Sequence, residues 1–149
     1  MGQKLFVYGT LRQGMINYTK YLKGHVRKIT PAFIKGEMFM LKSGKFPAVI
    51  EGTELIRGEI IELKKNSASI IKQVDKMEGF HVDDSPDNLY DKELYPIYNQ
   101  QGKKIDQLEI YLYNIARNPK LKDTLGEKIS SNDFVEYCKK NKLKRFTSK

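Results

Sequence analysis

A carboxylate at Glu78 and a glycine-bracketed loop from Tyr8 to Gly14 are the two features of this chain whose residue types and setting could do chemistry. Ile70, Ile71, Val74 and Met77 fall on one face of a helix expected over Ser67 to Glu78, which Asn66 or Ser67 would cap and Gly79 would end. At 100° per residue Glu78 projects within about 20° of Ile71, inside the apolar stripe. Burial disfavours the charged form of a carboxyl, and the negative end of the helix dipole acts in the same direction. A carboxyl lifted in this way suits a proton carrier near neutral pH; the same pattern also fits a buried Glu satisfied by backbone N–H groups or a basic side chain. Asp75 points off that face, toward solvent or a local hydrogen bond.

The loop follows an apolar run. Leu5-Phe6-Val7-Tyr8 reads as a short buried strand, and Gly9 supplies backbone freedom where the strand stops. Main-chain N–H groups turned outward at such a point are fixed donors, suited to a carboxylate or a developing oxyanion. An ordinary tight turn would use the same residues.

Positioning these groups requires a strand-rich scaffold. Strands are expected at Leu5 to Tyr8, His25 to Ala32, Gly36 to Leu41, Ala48 to Glu51, Ile56 to Leu63, Leu89 to Tyr98 and Lys104 to Tyr113. Asn99-Gln100-Gln101-Gly102 reads as the hairpin turn between the last two. Helices are expected at about Asn17 to Tyr21, Ser67 to Glu78 and Ser131 to Asn141, with fraying after Phe146. Tyr111 and Tyr113 alternate on the last long strand and could carry hydroxyls to one face.

At 149 residues the chain has enough length for one sizeable core, and residues 1–149 are expected to form a single domain. No apolar run approaches the roughly 18 residues of a membrane span, and the N-terminus lacks a secretion pattern; a cytoplasmic protein is expected. Phe6 stands where a myristoylation signal following Met1-Gly2 requires Ser or Thr. The one cysteine, Cys138, has no partner for an internal disulfide and reads as a small apolar filler beside Phe134 and Val135. Two histidines far apart give no metal-ligand spacing. Neither a Gly-x-Ser-x-Gly elbow nor a P-loop is present. The net charge of +9, with basic residues gathered at Lys139-Lys140, Lys142, Lys144-Arg145 and Lys149, raises non-specific phosphate binding as a possibility. No nucleic-acid motif accompanies it, and a solvated lysine-rich surface is the expectation.

Taken together, the motifs resemble the gamma-glutamylcyclotransferase superfamily, in the small bacterial branch that includes gamma-glutamylamine cyclotransferase-like proteins. The family's opening Tyr-Gly-(Thr/Ser)-Leu-(Arg/Lys)-x-Gly loop is Tyr8-Gly9-Thr10-Leu11-Arg12-Gln13-Gly14 here, followed by Asn17 where the family usually has Asn. Gly36-Glu37-Met38-Phe39, Phe46-Pro47-Ala48-Val49 and Gly58-Glu59-Ile60-Ile61 resemble later family segments in order. Val74-Asp75-Lys76-Met77-Glu78-Gly79-Phe80 is similar to the element whose Glu is catalytic in active members, and Ile129 to Tyr137 resembles the closing segment. Two departures stand out. The usual Tyr-x-Arg is Tyr90-Asp91-Lys92, and the closing Gly-Asp-Trp becomes Asn132-Asp133-Phe134. The stretch from Phe80 to Tyr90 is also long and polar, with three Asp.

The resemblance implies an α+β fold, a small, mostly antiparallel barrel-like sheet with a few packed helices. It implies a reaction without cofactor or metal, in which the α-amine of a gamma-glutamyl group attacks its own side-chain amide, giving 5-oxoproline and a free amine or amino acid. Glu78 would be catalytic. Tyr8, Gly9, Thr10 and Leu11 would bind the glutamyl half, the Tyr8 ring as a wall and the main-chain N–H groups of the other three as donors. Thr10 could also shape the turn, Arg12 could pair with a carboxylate or face the ligand, and His81 could approach the site. A non-catalytic module of the same fold binding a small acidic metabolite is the alternative. Neither the leaving amine nor the oligomeric state is legible in the sequence.

Overall fold

The structure is a computed structural model that describes residues 3–65, 67–81, 85 and 87–141. Met1-Gly2, Asn66 as a cap, part of the polar stretch (Val82 to Asp84 and Pro86) and the basic tail from Lys142 lie outside the described residues.

Chain order is β1 (Lys4–Val7), a π-helical turn (Tyr18–Leu22), β2 (Val26–Leu41), β3 (Pro47–Leu63), α1 (Ala68–Met77), β4 (Tyr90–Tyr98), β5 (Lys104–Tyr113), a 3₁₀ turn (Pro119–Thr124), β6 (Leu125–Lys128) and α2 (Phe134–Lys140). The strands make one six-stranded sheet in the order β1-β3-β2-β4-β5, with β6 also on β2, and every pairing is antiparallel. An α+β fold with a mostly antiparallel sheet is what the sequence led us to expect. The β4–β5 hairpin joins β2 through one register pair, Phe33 with Tyr98. At the far edges the sheet curls until β1 lies against β5. Side chains close that seam: the Tyr8 hydroxyl donates to the Tyr111 carbonyl at 2.5 Å, and Lys4 meets Asp106 at 3.3 Å.

Two expected breaks do not exist. Residues read as four strands form two long ones, β2 and β3, paired along most of their length. Gly36 and Gly52, at the edges of the expected gaps, mark a bend instead. Gly36 pairs with Glu54 and Glu37 with Ile50, so residues 51–53 bulge out of β3. A Cβ on Gly52 would stand 2.8 Å from the Gly36 carbonyl carbon, so the two backbones touch where only glycine fits. Pro31 is tolerated inside β2 because that stretch has a ladder on the β3 flank alone. The short β6 and the 3₁₀ turn, with too few apolar residues to carry a period, were not expected.

Alternation along β1 divides the core. Phe6 enters one cluster with Ile34, Met38, Phe134 and Cys138, while Leu5 and Val7 enter another with Ile61, Val74, Tyr90 and Tyr111. Each helix covers one cluster. Phe134 and Cys138, four residues apart on α2, are wholly buried, as are Val74 and nearly so Ile70 on α1. Burying a side chain such as Phe134 contributes roughly 2–3 kcal/mol. Among the described residues no helix is long and apolar enough to cross a membrane.

Candidate active site

Where β1 ends, the chain turns back on itself. The Arg12 N–H donates to the Gly9 carbonyl at 3.0 Å, and the Thr10 carbonyl accepts from the N–H groups of Asn17 and Tyr18, each at 3.0 Å. Asn17 Nδ2 donates to Thr10 Oγ1 at 2.7 Å and lies 3.7 Å from Met77 Sδ, so one side chain braces the loop against the end of α1. The N–H groups of Gly9, Thr10 and Leu11 donate to no acceptor among the described residues. Three backbone donors are therefore available to a ligand. Gly9 itself is needed for space rather than for an unusual φ: a Cβ there would stand 2.9 Å from the Pro47 ring. The left-handed glycine of the loop is Gly14, with φ 86°.

Arg12 is committed to two carboxylates. Its guanidinium is buried between Glu59, at 3.4 Å, and Asp133, at 2.8 Å, while Glu59 also accepts the Gln13 N–H at 2.9 Å. Asp133 is the N-cap of α2, accepting from the Glu136 N–H at 3.2 Å. Burial works against its charge, but the Glu136 N–H and the Arg12 guanidinium hold its carboxyl below the usual range. The loop is thereby fastened to β3 and α2.

Glu78 is the C-cap of α1, directly after Met77, with helical φ and ψ and its N–H donated to the Val74 carbonyl at 2.9 Å. Gly79 follows with φ 70°, the left-handed geometry that ends the helix. Ser67 stands at the other end, although its side chain makes no capping bond. The residue as a whole is partly exposed, yet the carboxyl is enclosed by protein. Burial pushes its pKa up to about 8, with the Asp75 carboxylate adding to the rise.

Loop and carboxyl share one pocket. It spans about 360 Å³ of space, part of it open to solvent, and its lining residues include Tyr8, Gly9, Thr10, Leu11 and Glu78. Phe6, Val7, Pro47, Tyr90 and Tyr111 add to the wall, and Phe46, also lining it, stands at 37% exposure. Glu78 supplies the one carboxyl among the lining residues described. The phenols are held as neutral donors: Tyr90 donates to the Pro47 carbonyl at 2.7 Å, and burial followed by the proximity of Glu78 raises the Tyr8 hydroxyl. In Tyr111 burial and the hydrogen bond to Asp75 act the same way.

Sequence reasoning did not assign Phe46, Pro47 or Tyr90 to the site. Their signal was present in the Phe-Pro-Ala and Tyr-x-Lys segments: the Pro47 ring stands against Gly9, and Tyr90 donates to the Pro47 carbonyl. Asp75 differs from expectation. It neither stays in solvent nor bonds locally, but accepts the Tyr111 hydroxyl and meets Lys92 at 3.0 Å, because the curl of the sheet carries β4 and β5 to α1. His81 is exposed, outside the pocket, with its N–H donated to Asn88 Oδ1 at 2.6 Å. Tyr113 packs edge-on against Tyr90, ring centroids 5.1 Å apart, and its hydroxyl meets Thr124 rather than the pocket.

Residues 5–136 match the model of a family described as gamma-glutamyl cyclotransferase, AIG2-like. A gamma-L-glutamyl-butirosin B gamma-glutamyl cyclotransferase of Niallia circulans is 32% identical over 88 residues, 59% of this chain and 53% of its own length. A putative gamma-glutamylcyclotransferase of Vibrio cholerae is 30% identical over 89 residues, 60% of this chain and 73% of the relative. The matched region thus spans about half of the first relative. Among solved structures, YkqA from Bacillus subtilis aligns with a TM-score of 0.64 at 28% identity over 97% of this chain and 44% of its own. A mouse AIG2-like protein shares the fold, with a TM-score of 0.57 at 18% identity over 76% of this chain and 78% of its own.

Proposed function

Because the chain belongs to the gamma-glutamyl cyclotransferase, AIG2-like family, we propose that it cyclises a gamma-glutamyl amine or peptide to 5-oxoproline, releasing the free amine, with Glu78 as the proton carrier. The observation that supports this reading most is the enclosure of the Glu78 carboxyl in the same pocket as three uncommitted main-chain N–H groups. Those donors, on Gly9, Thr10 and Leu11, would take the anionic end of the glutamyl half, and the Tyr8 ring would close one side. Held there, the chain of the substrate folds so that its α-nitrogen lies against its own γ-carbonyl carbon. Such preorganisation supplies much of the acceleration of an intramolecular attack.

In the reaction, a bond forms between the α-nitrogen and the γ-carbonyl carbon, and the bond from that carbon to the leaving nitrogen breaks. Glu78 as carboxylate takes a proton from the attacking nitrogen. As the acid it returns that proton to the leaving nitrogen, so its own charge is restored after each turnover. A pKa of about 8 serves both halves of the cycle. About one tenth of the molecules carry the carboxylate at pH 7, so the acid limb of kcat/KM is expected to bend near pH 8.

The glutamyl half fills the enclosed end, and the leaving amine would sit outward, near Phe46. The test is 5-oxoproline release from a panel with one glutamyl half and varied amines: a gamma-glutamyl amino acid, gamma-glutamyl-lysine, glutathione and gamma-glutamyl-butirosin B. Turnover of at least one member is expected. Binding of every member without turnover would establish instead a metabolite-binding module.

A further inference from the structure

Next to the pocket, three polar side chains from three elements meet, of which Tyr111 lines it and Asp75 and Lys92 do not. Tyr111 of β5 donates its hydroxyl to Asp75 of α1. Asp75 in turn meets Lys92 of β4, whose Nζ lies 3.0 Å from Oδ1 and 3.3 Å from Oδ2. The Lys92 ammonium stands over the Phe80 ring, 5.4 Å from its centroid, and 5.8 Å from the centroid of Tyr111. Its side chain is 13% exposed and that of Asp75 20%. This is not a loose surface pair, and the arrangement is continuous with the site, since the Tyr111 carbonyl accepts the Tyr8 hydroxyl.

We propose that Lys92 and Asp75, braced by Tyr111, are positioning residues that set the charge state of Glu78 from outside the pocket, Asp75 holding the proton on Glu78 and Lys92 limiting that hold. The inference rests on the reading of Glu78 as the proton carrier, but its test does not require turnover.

The physical basis is Coulombic. Groups facing Glu78 are Asp75 from its own helix, Tyr8 from the loop after β1, Tyr90 from β4 and Tyr111 from β5. The three phenols are neutral, so Asp75 is the charged group of the set. It lies one helical turn before Glu78, and its field acts through a partly dry interior where screening is weak. Lys92, in contact with Asp75, offsets part of that field. An arginine at position 92 would form a two-point bridge and hold its charge in a planar fork; a lysine is a point charge shared between a carboxylate and two ring faces.

Opposite charges predict opposite effects. Lys92→Met leaves the Asp75 carboxylate uncompensated, and Glu78 should hold its proton to higher pH. Asp75→Asn keeps an acceptor for the Tyr111 hydroxyl and leaves Lys92 positive, so Glu78 should lose its proton at lower pH. The double variant removes both charges and should return the midpoint toward wild type. Each single shift is expected to be on the order of one pH unit, or tenfold in proton affinity.

The experiment titrates Glu78 directly by carbon NMR of protein labelled at the Glu carboxyls, with Glu78→Gln identifying the resonance. The acid limb of kcat/KM is followed for the same three variants. Midpoints moving up in Lys92→Met, down in Asp75→Asn and back in the double variant support the proposal, with the kinetic limb moving in parallel. Shifts of the same sign in both single variants, or no shift in either, overturn it. If no substrate turns over, the proposed reaction fails while the titration still decides this inference. A variant that fails to fold gives no dispersed spectrum, and Lys92→Gln and Asp75→Ser then carry the same two charge changes.

Discussion

A carboxyl enclosed beside a helix C-terminus has a thermodynamic signature that can be read without a substrate. The Glu78 pKa is pushed up to about 8 by burial and Asp75, well above its ordinary value of 4.5. Between those two values the unfolded chain has given up a proton that the folded protein keeps, so stability contributed by this group falls as pH rises, then levels off above 8. The slope approaches roughly 1.4 kcal/mol per pH unit. Glu78→Gln removes that dependence. The variant should therefore be the more stable protein at pH 8, with an advantage of a few kcal/mol that shrinks steadily toward pH 4.5; thermal melts across that range check it. An advantage that is flat with pH would mean that the carboxyl is not enclosed. The Glu78 position was legible in the sequence because helical periodicity aims it into an apolar stripe. Asp75 was misjudged for a related reason: periodicity describes a residue's own helix face, not which strands the sheet brings to it.

Elements hold the loop in place more than the loop holds itself. Arg12 links β1's end to Glu59 on β3 and to Asp133 at the start of α2, with little exposure at any of the three. Arg12→Met leaves two carboxylates without their cation, which should destabilise by about 3–5 kcal/mol in urea unfolding. Adding Glu59→Gln should recover part of that loss; no recovery would show that Arg12 acts by packing alone. Gly9 faces the Pro47 ring at the head of β3. Gly9→Ala should push loop and strand apart, at a strain of about 1–3 kcal/mol, and raise KM with less effect on kcat. Strand identity was readable from alternation, and the Asn99-to-Gly102 turn from its residues: the Asn99 N–H donates to Lys103 and Gly102 has φ 81°. Strand continuity was not readable. Gly36 and Gly52 look like breakers until both are seen against one another at a bulge, a long-range contact that no local window contains.

Across the whole molecule, β1 and β3 each serve both apolar clusters. Phe6 and Ile60 face one, Leu5, Val7 and Ile61 the other. With a shared sheet between them, neither cluster can be lost alone, and a single cooperative unfolding transition is expected, coincident by far-ultraviolet circular dichroism and tyrosine fluorescence. Two separated transitions would divide the chain into independent units. The same curl that joins the clusters brings the loop after β1, the end of α1 and the wall of β5 around one pocket, which is why residues from 8 to 111 meet there. The most direct test of the central claim sets wild type and Glu78→Gln side by side on the same gamma-glutamyl substrates and counts 5-oxoproline and free amine. Equal amounts of both products from wild type, with a rate lower by about 10²- to 10⁴-fold in Glu78→Gln at unchanged fold, is the predicted result; undiminished turnover by Glu78→Gln would contradict the account.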